Sequence, residues 1–232
     1  MKRALLFTCE HGGARVPPNY RPLFAGPASK RKLQSHRGSD IGALSLARSL
    51  ALSFDAPLYA STVTRLLVDL NRSIGHPRLF SEISRDLRPA ERKELLDEHY
   101  FPHRNRVEVW IEAKTRRGDQ VLHIGVHSFT PQIDGRERNA DVGLLYDPAR
   151  SAEKTLCARW KAGFREVDPA LRVRRNYPYL GKADGFVPHL RRTFPARQYV
   201  GMELEVNQAL LATPRGRRRA ADSIRESLRL AL

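Results

Sequence analysis

Two histidines and an aspartate stand where apolar runs give way to glycine or polar residues. The run "ALLFTCEHGG" delivers His11, and Gly12-Gly13 behind it let the backbone turn sharply and approach a ligand. "VLHIGVHSF" delivers His127 and Ser128 in the same manner, and Asp40 stands at the mouth of the helical pattern "SDIGALSLARSLALSF". Taken singly, each has a plain structural meaning: a turn or core histidine for His11 and His127, a helix N-cap for Asp40. Together, two imidazoles and one carboxylate from separate elements make the three-ligand set of a catalytic zinc, with a fourth position left for water or substrate. Such an ion polarises a carbonyl and brings the pKa of its water toward about 7.

That chemistry also needs a carboxylate to move a proton. "GMELEVN" offers Glu203 and Glu205 on one face of an alternating pattern whose other face is Val200, Met202, Leu204 and Val206. Either glutamate suits a general base; an edge strand with a wet face would look the same. "RLLVDLNRS" ends in Asn71 and Arg72, and a guanidinium fork at a concave site selects an anionic substrate. The loop "NYPYLGKADG" carries Tyr177, Tyr179 and Lys182, either over the site or as a simple turn.

These groups need elements to aim them. Apolar runs predict strands at 4–10, in "APLYAS" and "RLLVDL", at 121–129, at 142–147, after residue 171 and at 198–211. Helical spacing or helix punctuation marks 39–54, most of 88–118 with a break near Pro102, 151–167, and the C-terminal stretch. Strands separated by helices of ten or more residues predict an α/β fold with a largely parallel or mixed sheet between two helical layers. Ligands then bind beyond the carboxyl ends of the strands.

The bulk properties narrow the classes. At 232 residues, with no linker or repeat, residues 1–232 are read as one domain. Two unpaired cysteines, no signal-peptide core and no run of about 20 apolar residues predict a cytoplasmic protein without a membrane span. The net charge of +16 comes from arginines spread along the whole chain, without a nucleic-acid motif. That predicts a basic surface rather than a specific nucleic-acid partner; oligomeric state is not readable.

In this order the segments "CEHGGARVP", "SDIGALSLARSLA", "RLLVDLNRS", "HYFPHRNRV", "HIGVHSF", "DVGLLYD", "NYPYLGKADG" and "YVGMELEVNQALL" resemble the N-formylglutamate amidohydrolase family nearly end to end. They are also similar to the wider group of zinc carboxypeptidases and peptidoglycan amidases. The resemblance implies a three-layer α/β/α, zinc-exopeptidase-like fold and a zinc-dependent hydrolase of a small N-acyl amino acid, N-formylglutamate foremost. It implies His11, Asp40 and His127 as ligands, with Asp40 in place of the acidic residue that carboxypeptidases carry three positions after the first histidine, where Ala14 stands here. Glu205 is implied as base through "LEVN", with Glu203 in reserve, and Asn71, Arg72, Ser128 and Tyr179 as contacts to a carboxylate-bearing amide substrate. A peptidase or peptidoglycan amidase on the same scaffold, and a basic binding protein on an inactive one, are the other readings. His103 follows Pro102 where the family shows Pro-Tyr-His, and its role is left open.

Overall fold

The computed structural model describes residues 2–232. Strand β1 (Arg3–Cys9) is followed by helices α1 (Pro27–Leu33) and α2 (Ala43–Ser53), strand β2 (Leu58–Ala60), and helices α3 (Pro89–Leu95) and α4 (Phe101–Arg116). Strand β3 (Gln120–Phe129) leads through a small hairpin, β4 (Gln132–Ile133) and β5 (Arg136–Glu137), into β6 (Val142–Leu145) and α5 (Ser151–Val167). Strand β7 (Val173–Arg175), helix α6 (Phe186–Thr193), strand β8 (Tyr199–Asn207), and helices α7 (Gln208–Leu211) and α8 (Pro214–Ala231) complete the chain.

The six-stranded sheet runs β2-β1-β3-β8-β6-β7. Strands β2, β1, β3 and β8 are parallel, and β6 pairs antiparallel with β8 while running parallel to β7. Burial on both faces explains the apolar runs. One face of β8 (Val200, Met202, Leu204, Val206) packs on α2, α5 and α8, whose Leu46, Leu50, Leu156, Trp160, Phe164, Ile224 and Leu228 recur at helical spacing. On the other face Leu6, Val121 and Tyr199 meet Val107 and Ile111 of α4 and Phe186 and Leu190 of α6. The result is a sheet between two helical layers, as the resemblance implies.

Three expectations need correction. "RLLVDL" is no strand: residues 65–70 run through turns, with Leu67 N donating to Thr64 O at 3.1 Å and Arg72 N to Asp69 O at 3.1 Å. Its leucines are buried in a satellite core with Tyr20, Phe24, Leu79, Leu95 and Tyr100, and burial on all sides produces the same apolar run as a central strand. The helix of 88–118 does not break at Pro102; a π-helical turn at Leu96–Tyr100 precedes α4 instead. Pro102 has no N–H to donate, and the wide turn leads into the first turn of α4, where none is needed. Finally, the strand expected over 198–211 ends at Asn207, with α7 taking 208–211, and β8 is not an edge. It lies between β3 and β6 with every residue buried, so its two glutamates face the interior between the sheet and the α4–α6 layer.

The connection after β7 lies against that same interior. A Cβ at Gly143 would collide with the carbonyl oxygen of Tyr177 and stand 3.3 Å from Glu205 Cβ. Gly143→Ala is therefore expected to force the Tyr177–Gly181 loop off β6 and cost about 1–3 kcal/mol, read as a lower urea midpoint at unchanged slope. An unaltered midpoint would show that the loop retreats freely and takes no part in closing the site.

Candidate active site

His11 follows β1, and His127 lies on β3, the parallel neighbour of β1. Asp40 comes from the segment before α2, tied to the sheet by Asp40 N–H donating to His11 O at 2.9 Å. It is not the N-cap of α2: that helix begins at Ala43, and Gly42 takes the cap position. The Asp40 side chain points into the sheet edge. Its Oδ2 stands 2.9 Å from His127 Nδ1 and 3.3 Å from His11 Nδ1, and all three residues are buried.

Bonds of about 2.0–2.1 Å to a tetrahedral zinc imply donor–donor separations of about 3.3 Å, so this trio fits such an ion. One donor from each residue lies within 4.8 Å of the others, and no further group of this kind occurs among the described residues. The far nitrogens of the two imidazoles are held by other carboxylates. His11 Nε2 meets Asp69 Oδ1 at 2.7 Å; His127 Nε2 lies 3.2 Å from Glu10 Oε2, near enough for an ion pair but out of line for a hydrogen bond. A carboxylate behind a ligating imidazole fixes its tautomer and ring orientation.

Arg65 bridges the acids, with Nη1 3.3 Å from Asp40 Oδ1 and Nη2 donating to Asp69 Oδ2 at 2.8 Å. Glu10 faces His103 on its other side at 3.4 Å. The charges are set by these contacts. Burial opposes ionisation of Asp40, Asp69 and Glu10, but His11 and His127, Arg65 and His11, and His103 and His127 respectively more than offset it, and all three carboxyls lie below their ordinary range. Burial likewise opposes a charge on His127, and Asp40 and Glu10 raise it well above the usual imidazole value regardless.

Glu205 behaves differently. It pairs across the sheet with His127, is buried, and its Oε2 has no hydrogen-bond partner. Burial chiefly, with the charges of Asp40 and Glu203, pushes its carboxyl up to about 8, against the pull of His127 and Arg65. Glu203, one step back on the same face, accepts from Asn71 Nδ2 at 3.2 Å and lies 3.9 Å from His127 Nε2. Asn71 Oδ1 in turn accepts from Phe186 N–H at 2.6 Å, so Asn71 pins the start of α6 to β8.

The remaining expected contacts are scattered. Arg72 Nη1 donates to Asp184 O at 2.7 Å while its buried Nε has no partner. Ser128 does not face the substrate side: one residue beyond His127, it points to the other face and donates to Ile41 O at 2.8 Å, steadying the segment that carries Asp40. Tyr179 is half exposed on the loop after β7. Sequence reading passed over Glu10, Arg65 and Asp69. Glu10 and Asp69 sit inside the quoted "EHGG" and "VDLNRS", and a carboxylate beside a metal-competent histidine was the available signal; Arg65 offered none. A cleft of about 380 Å³ opens beside Asp69 and Arg65, with His36, Arg37, Arg78 and Arg85 on its walls, a setting that favours anions.

A family model described as N-formylglutamate amidohydrolase matches residues 3–212. A solved structure of a gene product from Agrobacterium tumefaciens is 31% identical, covering 98% of this chain and 89% of that one, with a TM-score of 0.83. An N-formylglutamate amidohydrolase from Ralstonia eutropha JMP134 shares the fold at 19% identity and a TM-score of 0.70, covering 100% of this chain and 94% of that one. No curated protein matches the chain. Among the described residues no helix is long and apolar enough to cross a membrane.

The ligand arrangement predicts graded effects on metal binding. Asp40→Ala is expected to abolish stoichiometric zinc, whereas Asp69→Asn, which leaves the donors in place, should weaken affinity about 10- to 100-fold in a competitive chelator titration. Full zinc occupancy in folded Asp40→Ala would remove Asp40 from the donor set.

Proposed function

The chain belongs to the N-formylglutamate amidohydrolase family, an amide-hydrolysing family, and from that premise we propose that it is a zinc enzyme releasing the acyl group of a small N-acyl amino acid, N-formylglutamate foremost. The observation that carries this reading is the convergence of His11, Asp40 and His127 beside a buried glutamate, Glu205, whose Oε2 has no hydrogen-bond partner. Zinc on those three donors would polarise the scissile carbonyl and make water a usable nucleophile.

The protein's own groups do the rest. Glu205, buried with an Oε2 that no protein group engages, takes the proton of the attacking water and passes it to the leaving nitrogen. Asp69 and Glu10 keep the two imidazoles turned with Nδ1 inward. Arg65 ties Asp40 to Asp69 and holds Asp69 ionised. Arg72, with Nε unspent, binds the substrate's α-carboxylate, and Asn71 positions Glu203 and α6 rather than touching substrate.

Hydrolysis of a panel of N-acyl amino acids and peptides by the zinc-loaded protein tests the reading. N-formyl amino acids are expected to be cleaved in preference to peptides, and chelation to stop turnover with recovery on adding zinc. No turnover of any N-acyl amino acid at full zinc occupancy would sink it. The two glutamates separate within the same assay. Glu205→Gln is expected to keep its zinc and lose about two to four orders of magnitude in kcat, while Glu203→Gln costs much less, because Glu203 is already engaged by Asn71. The reverse ranking would make Glu203 the base and leave the zinc assignment standing.

A further inference from the structure

Buried arginines in this chain have visible partners, with one exception. Arg191 pairs with Glu153 at 2.9 Å, and Arg104 donates to the carbonyls of Leu70 and Arg72. Arg138 is only 7% exposed, yet among the described residues no carboxylate lies within 4.0 Å of it, and its Nη1 has no hydrogen-bond partner. Rings hold it instead: its guanidinium carbon lies 5.7 Å from the centre of Phe129 and 5.2 Å from that of Tyr179. Main-chain bonds set its place, with Arg138 N donating to Pro131 O and Ala140 N to Arg138 O, both at 2.8 Å. A desolvated guanidinium gives up its hydration, and the two aromatic faces replace only part of it. Nothing among the described residues supplies the counter-charge.

The sheet says where an anion would sit. Phe129 lies two residues beyond His127 on β3 and so shares the face of His127 and, through the strand pairing, of Glu205. Two residues advance about 6.6 Å along a strand, toward the carboxyl ends where such sheets bind ligands. Arg138 therefore covers the site face one step outward from the proposed metal.

Resting on the amidohydrolase reading, we propose that Arg138 is the specificity-determining contact for the side-chain carboxylate of an acidic N-acyl amino acid. In an extended N-formylglutamate the side-chain carboxylate lies about 6 Å from the scissile carbon, given single bonds near 1.5 Å; the α-carboxylate is nearer. The outward step to Arg138 matches the longer reach and leaves the α-carboxylate to Arg72. A planar fork with an orphaned Nη1 accepts a carboxylate side-on, and Tyr179, half exposed on the other side of the guanidinium, keeps the pair from water.

The test compares N-formyl-L-glutamate with N-formyl-L-glutamine, which has the same shape without the side-chain charge, on zinc-loaded wild type, Arg138→Gln and Arg138→Lys. Arg138→Gln should lose about 10- to 100-fold in kcat/KM on the glutamate substrate and be unchanged on the glutamine one. Arg138→Lys, which keeps the charge but not the fork, should fall between on glutamate alone, and it serves as the test variant if Arg138→Gln melts early. Equal losses on both substrates, or retained preference for glutamate, would overturn the assignment. A second readout does not depend on turnover: free L-glutamate should raise the melting temperature of the wild type more than L-glutamine does, and that extra rise should vanish in Arg138→Gln. Wild-type protein that cleaves neither substrate brings down the amidohydrolase reading instead. The melting experiment then judges Arg138 by itself, an equal extra rise in both proteins overturning it.

Discussion

One carboxylate oxygen organises this molecule. Asp40 Oδ2 stands between His11 Nδ1 and His127 Nδ1, three groups drawn from three stretches of chain, all buried. Burying such a set is costly unless each charge is balanced, and the surrounding structure supplies that balance. Asp69 stands behind one imidazole and Glu10 behind the other, while Arg65 joins Asp40 to Asp69. Removing any one of these leaves an unbalanced charge in the interior. The lattice is therefore as much a condition on folding as on chemistry.

The fold meets that condition through register. Parallel pairing of β1 with β3 and of β3 with β8 brings the end of β1, His127 and Glu205 to one edge. A slip of one residue in β8 would turn Glu203 and Glu205 into the apolar layer and expose Val200, Met202, Leu204 and Val206 to the polar side. The penalty on both faces is what keeps the pairing unique. Deeper on the same face, His123 bonds Thr8 at 2.8 Å and Tyr199 at 2.7 Å, and burial lowers its pKa to about 4. Two histidines on one strand thus take opposite characters. His123 is the satisfied core residue that any strand histidine could have been, and His127 is the one with carboxylates in front and behind.

Local pattern was enough for the strands of the sheet, most helices, the two strand-end histidines and the glutamate face of β8, because strand alternation and helical spacing are written in consecutive residues. It failed where packing decided. "RLLVDL" reads as a strand because its leucines are buried, but what buries them is a satellite core of residues distant in sequence, Tyr20 and Leu95 among them. Helix α6 was not anticipated: its eight residues carry a proline and two arginines, and Asn71 and Phe186 anchor it from outside. Asp40 was legible as an acid at a helix mouth, yet its choice of the imidazoles over the helix amides depends on β1 and β3 together. Arg65 and Arg138 were invisible among so many arginines, since an arginine's role lies in what it faces and not in its neighbours along the chain.

The arrangement of charge around the site has a direction. Asp40, Asp69 and Glu10 are ionised and committed to cations within the protein, so they present no free negative field to a ligand. Glu205 is the carboxyl left near neutrality, because burial and neighbouring acids outweigh the nearby cations. Carboxyls held apart in this way divide into those that hold the site together and one that, on the proposed reading, moves a proton. Outside this inner set the balance reverses: His36, Arg37, Arg78 and Arg85 line the adjoining cleft, and Arg72 and Arg138 keep unspent donors. Glu82, on the same wall, is already paired with Arg37, so on the proposed reading a neutral or cationic amide finds no free counterpart there. On the proposed reading an anionic one is drawn in by the surface charge and then meets Arg72 Nε and Arg138 Nη1, the donors without a partner, which puts its selection at the rim and its chemistry at the strand ends.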